Sequence, residues 1–403
     1  MTEAVRTSQW LNKVPAVTIF FWIIKVLCTT IGEAAADFLN VNLNFGLTRT
    51  SIVMGVLLAL ALIVQFRTTR YVAVAYWLAV LLISVFGTLV TDILTDAMGF
   101  PLEWSTALFS ALLLITFALW YQQERTLSIH SIFTARREAF YWLAVLFTFA
   151  LGTAAGDLMA EALGLGYATT GIIVALVVAI FSLAWRLGLD SILAFWVIYI
   201  MTRPLGASLA DYLTQSKAHG GLGLGATLTT VIFTLSVVAT VLYLAVTKRD
   251  VTQEGEVERD IKAKRRGPTL VFAQVVAVAI LFATAAVGGY LWQSQRLEAA
   301  RQASAGNNDA SAPLGDLTSF HDLSQAMLNS VNAGNWSEAN THADEIEYAW
   351  DSAESRSRPM NAAAWAHVDD AIDDVLREVR AISPDREGAR SALQTLQDKI
   401  EDP

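Results

Sequence analysis

The chain has 403 residues, 54% of them hydrophobic and only 16% charged, with a mean hydropathy of +0.46. That balance excludes an ordinary soluble enzyme, a disordered protein and a nucleic-acid binder, and the single cysteine, Cys28, excludes an intrachain disulfide. The net charge of −9 is uneven: residues 293–403 hold 20 acids and 9 bases, residues 1–292 hold 17 and 19, so the acidity belongs to the tail.

Nine apolar stretches are long enough to cross a bilayer: 15–39, 51–66, 71–97, 104–121, 138–163, 169–186, 190–213, 226–247 and 269–292. The first is too long for the apolar core of a cleavable signal peptide and is followed by no small-x-small site. Basic residues alternate in the connections. Arg6 and Lys13, Arg67 and Arg70, Arg125, Arg136 and Arg137, Arg186 and the cluster from Lys248 to Arg266 fall on one side; Arg49 and Lys217 fall on the other. Lys and Arg collect on the cytoplasmic side, so the amino terminus is expected inside and the carboxyl-terminal tail outside a bacterial inner membrane.

The expected organisation is a membrane domain over 1–247, a charged cytoplasmic linker over 248–268, a ninth span over 269–292, a flexible linker over 293–316 and an acidic helical bundle over 317–403. The linker is rich in Ala, Ser, Asn and Gly, whereas Phe320, Leu323, Met327 and Val331, like Trp365, Val368, Ile372 and Leu376, recur at helical spacing. The predicted fold is therefore all-α: four tandem two-helix repeats, an anchor helix and a small bundle.

The repeats carry the functional signal. The odd-numbered helices end in T-x3-[ED]-x3-[DE]: Thr29, Glu33 and Asp37; Thr88, Asp92 and Asp96; Thr153, Asp157 and Glu161. The fourth copy is degenerate, with Arg203, Ala207 and Asp211. Spacing of four places each triplet on one helix face, in the half of the helix away from the cytoplasm. One intramembrane carboxylate costs about 2.5–3.5 kcal/mol on insertion scales, so seven of them are expected to face one another or a watery cavity. A single such pair is often an interfacial feature; four in register argue for a site.

Carboxylates with hydroxyls are hard oxygen ligands suited to Mn²⁺, Mg²⁺ or Ca²⁺, and crowded acids also exchange protons. The pattern therefore points to a divalent-cation transporter, with the seven acids as cation and proton ligands and Thr29, Thr88 and Thr153 as neutral oxygens. Arg203 is expected to neutralise one acid; Lys25 pairs with the stripe, snorkels or is buried. No organic cofactor, nucleic acid or enzymatic activity is implied, since no nucleophile–base arrangement occurs and GGLGLG at 220–225 lacks the strand and lysine of a phosphate loop. The partners are the bilayer, the cation and protons. The hairpins close a ring within one chain, or a homo-oligomer completes the cavity. The alternative is a membrane-anchored sensor or scaffold whose bundle binds a partner, or a metal through Glu338, His342 and Glu345.

Residues 15–246, with this repeated element, resemble a bacterial family of uncharacterised membrane-anchored proteins, which implies the membrane location but no activity. The segment 317–400, with NWSEA at 335–339 and HVDDAID at 367–373, resembles small helical domains of unknown function. Gly32-Glu33 and Gly156-Asp157 are similar in kind to the acidic-glycine helix motifs of small bacterial cation exporters.

Overall fold

A computed structural model describes residues 12–42, 45–215, 217, 221–250, 268–304, 314–358, 360–381 and 383–403. Among these residues there are thirteen α-helices and no strand. Eight form the membrane domain: α1 (Ile19–Asp37), α2 (Leu47–Arg67), α3 (Ala73–Asp92), α4 (Leu102–Glu124), α5 (Ala135–Asp157), α6 (Tyr167–Leu187), α7 (Ser191–Thr214) and α8 (Gly225–Thr247). Helix α9 (Pro268–Ser304) follows, then the bundle of α10 (Thr318–Ala333), α11 (Trp336–Ser357), α12 (Ala362–Val379) and α13 (Arg386–Glu401). Nine of these helices are long and apolar enough to cross a membrane, as the hydrophobic pattern predicts. One expectation fails. The ninth helix continues to Ser304, into the stretch expected to be a flexible linker. That stretch carries Gln, Arg, Leu, Glu and Ala after Trp292, and these are good helix formers.

The odd and even membrane helices have different roles. In the odd ones 56–61% of the membrane-crossing stretch is buried, in the even ones 17–28%. Helices α1, α3, α5 and α7 form an inner ring in which each touches the next and α7 touches α1. Each even helix leaves its own hairpin and lies on the odd helix of the following repeat: α2 on α3, α4 on α5, α6 on α7, and α8 back on α1. The four repeats thus close around one axis within a single chain.

The ring is close-packed because small residues sit at the crossings. A Cβ on Gly206 would lie 1.8 Å from Thr29 Oγ1, and one on Gly32 would lie 1.9 Å from Ser84 Oγ. Both positions therefore require glycine. Away from the acidic triplets, the axis is filled by a fully buried cluster that includes Phe21, Tyr76, Trp77, Val80, Tyr141, Val145 and Tyr199. This end is tied by the segment before α1. Lys13 donates to Glu138 at 2.6 Å and to the Phe66 carbonyl at 3.1 Å, and Gln65 donates to the same carboxylate at 3.2 Å.

The odd helices do not end plainly. Phe38–Asn42, Ile93–Ala97 and Leu158–Ala162 are single π-helical turns continuing α1, α3 and α5, whereas α7 runs to Thr214 without one. Such turns concentrate at functional sites because they redirect the side chains that follow. The bundle rests on all three, α12 against the first two and α11 against the third. Its own core is built on Trp350 and Trp365, stacked at 3.7 Å, with Phe320 edge-on to Trp350.

Candidate functional site

The axis is layered, because residues one helical turn apart in each odd helix stack at successive depths. At the level of the repeat threonine lie Thr29, Thr88, Thr153 and, from α7, Arg203. The Arg203 side chain is fully buried and collects all of its neighbours. Its Nε donates to Thr153 Oγ1 at 3.0 Å and its Nη1 to the Thr29 carbonyl at 2.8 Å. Nη2 donates to Thr88 Oγ1 and to the Glu33 carboxylate, and also reaches Thr153 Oγ1 at 2.8 Å. The expected neutralisation of one acid by Arg203 is realised on Glu33. The three threonine oxygens are committed elsewhere. Thr29 and Thr153 donate to carbonyls of their own helices and accept or flank the guanidinium, so none of the three lines the cavity above.

One turn further toward the mouth, the acids open into a cavity of about 1030 Å³. Its walls carry Glu33, Asp37, Asp92, Asp157, Glu161 and Asp211, so the triplets of all four repeats meet in one space. Tyr167 donates to Glu161 at 2.9 Å. The side chain of Asp96 lies outside the described residues. Four carboxylates outside the repeat pattern, Asp344, Glu347, Asp351 and Asp373 of the bundle's acidic clusters, enter from the bundle that roofs the cavity. Their acidity is plain in the sequence, but their position follows from tertiary docking alone. Among the described residues ten carboxylates and two basic groups, Lys217 and Arg380, line the space. Arg380 donates to Asp344 at 2.6 Å and to Glu347 at 2.7 Å; burial disfavours its charge, yet these two acids hold its pKa above the usual arginine value.

Among the described residues no three of His, Cys, Asp and Glu come close enough to hold one metal ion. On α11, Glu338 takes a bond from Asn335 at 2.8 Å while His342 pairs with Glu345 at 3.0 Å, so the possible His–Glu metal face is divided between separate partners. Among the described residues the cavity therefore gathers carboxylates without a ligand triad, around a space wide enough for water.

One turn below Arg203 stand Lys25, Ser84, Phe149 and Tyr199. Lys25 is buried and sits 3.4 Å from the centre of the Phe149 ring and 4.3 Å from that of Tyr199; Nζ finds no hydrogen-bond partner among the described residues. Of the three fates open to it in the sequence, burial is the one adopted. Two turns lower, Tyr76 and Tyr141 share a hydrogen bond of 2.5 Å. Each lies twelve residues before its repeat threonine, so the repeat extends further from the acidic triplets, toward the opposite end of the membrane domain, than those triplets suggest.

The hairpin that builds this site four times is the unit of a known family. Its profile matches at 20–71, 75–126, 140–187 and 194–250, one hairpin per match and more than half of the chain in all. The chain belongs to the family described as Repeat of Unknown Function (DUF347). Each DUF347 repeat supplies one inner helix to the axis and one outer helix to its neighbour's repeat. No curated protein and no solved structure matches the chain.

Proposed function

We propose that this DUF347 protein is a transporter of the bacterial inner membrane that exports a divalent cation of the Mn²⁺ class in exchange for protons. The reading rests on one observation: acids from all four repeats line a single cavity, with ten carboxylates against two basic groups among the described residues. Such crowding favours whatever brings positive charge into the cavity, whether a proton or a metal ion. An ion and six waters, at about 30 Å³ per water, need roughly 200 Å³, so the space accommodates a hydrated dication held through its water shell. Outer-sphere binding of this kind needs no tight ligand triad. By the distribution of Lys and Arg, the cavity opens toward the outside and the aromatic end faces the cytoplasm.

The test is elemental analysis of cells with and without the gene, across Mn, Fe, Mg, Ca, Zn and Co. Deletion should raise one divalent metal, the wild-type gene should restore it, and Asp157→Ala or Asp92→Ala should not, although both variants insert normally. Unchanged metal content would reject transport. The second reading would then stand, a membrane-anchored sensor or scaffold. It is favoured by the Arg203–Glu33 seal and by the docking of Arg358, which donates to the Thr95 carbonyl at 3.0 Å and the Phe100 carbonyl at 3.2 Å.

A further inference from the structure

At the end opposite the cavity, the inner helices are shut by a segment that belongs to no helix. Residues 12–18 run irregularly ahead of α1, and Asn12, Lys13, Val14 and Ala16 are all buried, Val14 within the aromatic cluster. The backbone of this segment is bonded to three separate connections. The Tyr71 N–H, between α2 and α3, donates to the Asn12 carbonyl at 3.0 Å. The Lys13 N–H donates to the Ile132 carbonyl, between α4 and α5, at 2.9 Å, and the Ala16 N–H to the Asp250 carbonyl, beyond α8, at 2.8 Å. Residues 12–16 therefore strap together the ends of hairpins from all round the ring.

The strap is polar where an apolar plug would fit. Lys13 Nζ lies 2.6 Å from the Glu138 carboxylate, with both side chains at least nine-tenths buried, and Gln65 donates to the same carboxylate at 3.2 Å. Apolar residues of similar volume would hold this end at least as firmly, because a buried ion pair recovers little more than its own dehydration. What the pair adds is an easy way apart. Separated Lys and Glu regain their hydration, whereas separated apolar surfaces meet water at a cost proportional to their area. Asn12 Oδ1 and Gln65 Oε1 are buried in the strap and accept no hydrogen bond among the described residues, so water entering here finds acceptors waiting.

We propose that residues 12–16, clamped by Glu138 and Gln65, are the inner gate of the membrane domain, shut here while the acidic cavity is open. On release Lys13 leaves Glu138, the strap lifts, and water enters the aromatic cluster as far as Cys28. The inner helices then close the cavity above Arg203, since an exchanger opens its two ends in alternation and never together. The purpose of the gate rests on the transport reading, but the coupling of the two ends is measured without any substrate.

The experiment follows the reaction of N-ethylmaleimide with the full-length, detergent-solubilised chain. Cys28, its single cysteine, is buried in the aromatic cluster and reports on the strap end. Asp37→Cys in a Cys28→Ser background reports on the cavity, which Asp37 lines. Lys13→Met keeps the length of the stem and removes the charge. It should speed the reaction at Cys28 about tenfold and slow that at position 37 severalfold, as a shift of population between two states requires. A strap that only holds the fold together gives another pattern, because loosening it exposes both sites. Glu138→Gln, which keeps the shape of the side chain, replaces Lys13→Met if the latter fails to fold. An unchanged rate at Cys28, or a rise at both sites, overturns the proposal. Metal content of cells is read separately. Reciprocal labelling with no metal change on gene deletion keeps the gate and rejects transport; a metal change without reciprocal labelling keeps transport and rejects this gate.

Discussion

Arg203 stands where the other three repeats have threonine, and its position explains why the fourth repeat also gives up its middle acid for Ala207. A single guanidinium at the axis satisfies the hydroxyls of Thr88 and Thr153, the Thr29 carbonyl and the Glu33 carboxylate together. A carboxylate on the same helix, one turn further on, would compete with Glu33 for that charge. Removing the guanidinium should leave Glu33 an uncompensated acid. Arg203→Met is expected to lower the stability of the detergent-solubilised protein by about 3–5 kcal/mol, the usual effect of breaking a buried pair from one side. Glu33→Gln combined with Arg203→Gln should recover part of that loss, read as the shift of the thermal unfolding midpoint. A double variant no more stable than Arg203→Met alone would mean that the guanidinium acts through packing, not through Glu33.

At the level of the helices, close approach is bought with glycine. Gly206→Ala places a methyl 1.8 Å from Thr29 Oγ1 and 3.1 Å from the Thr30 backbone nitrogen, at a crossing of α7 and α1. A cost of about 1–3 kcal/mol is expected from this overpacking. Gly288→Ala on α9, with nothing within 4 Å of the added carbon, should be near neutral in the same melting assay. Nine spans, hairpin repeats and the acid triplets were legible because hydropathy, spacing of four and repetition all leave marks on composition. The π-helical turns after Asp37, Asp92 and Asp157 were not: they shift backbone hydrogen bonds by one residue and require no particular side chain. The same holds for the fate of the threonines. Their spacing from the acids suggests ligands, but the side chain they meet, Arg203, is 50 residues or more away in sequence.

For the whole molecule, the bundle is the roof of the membrane cavity. Its attachment includes Arg358, which is held by Glu354 at 2.5 Å and reaches two carbonyls at the end of the second repeat's inner helix. Arg358→Ala should loosen that roof without unfolding the bundle, whose core lies around Trp350 and Trp365. The expected outcome is a severalfold faster reaction of a cysteine introduced at Asp37 with a cationic maleimide added from the bundle side. An unchanged rate would show that the cavity mouth stays open with the bundle in place.

The closed ring also dictates an order of events during synthesis. Helix α1 is made before α7, and its Glu33 has its counter-ion 170 residues later, on α7. At about 5–20 residues per second, the ribosome delivers Arg203 on the order of 10–30 s after Glu33. Through that interval the first repeat holds an unpaired acid, and α1 still lacks α8, the outer helix that will cover it. A nascent chain of one, two or three repeats therefore carries that acid uncompensated, and only the last hairpin completes both its pairing and the ring.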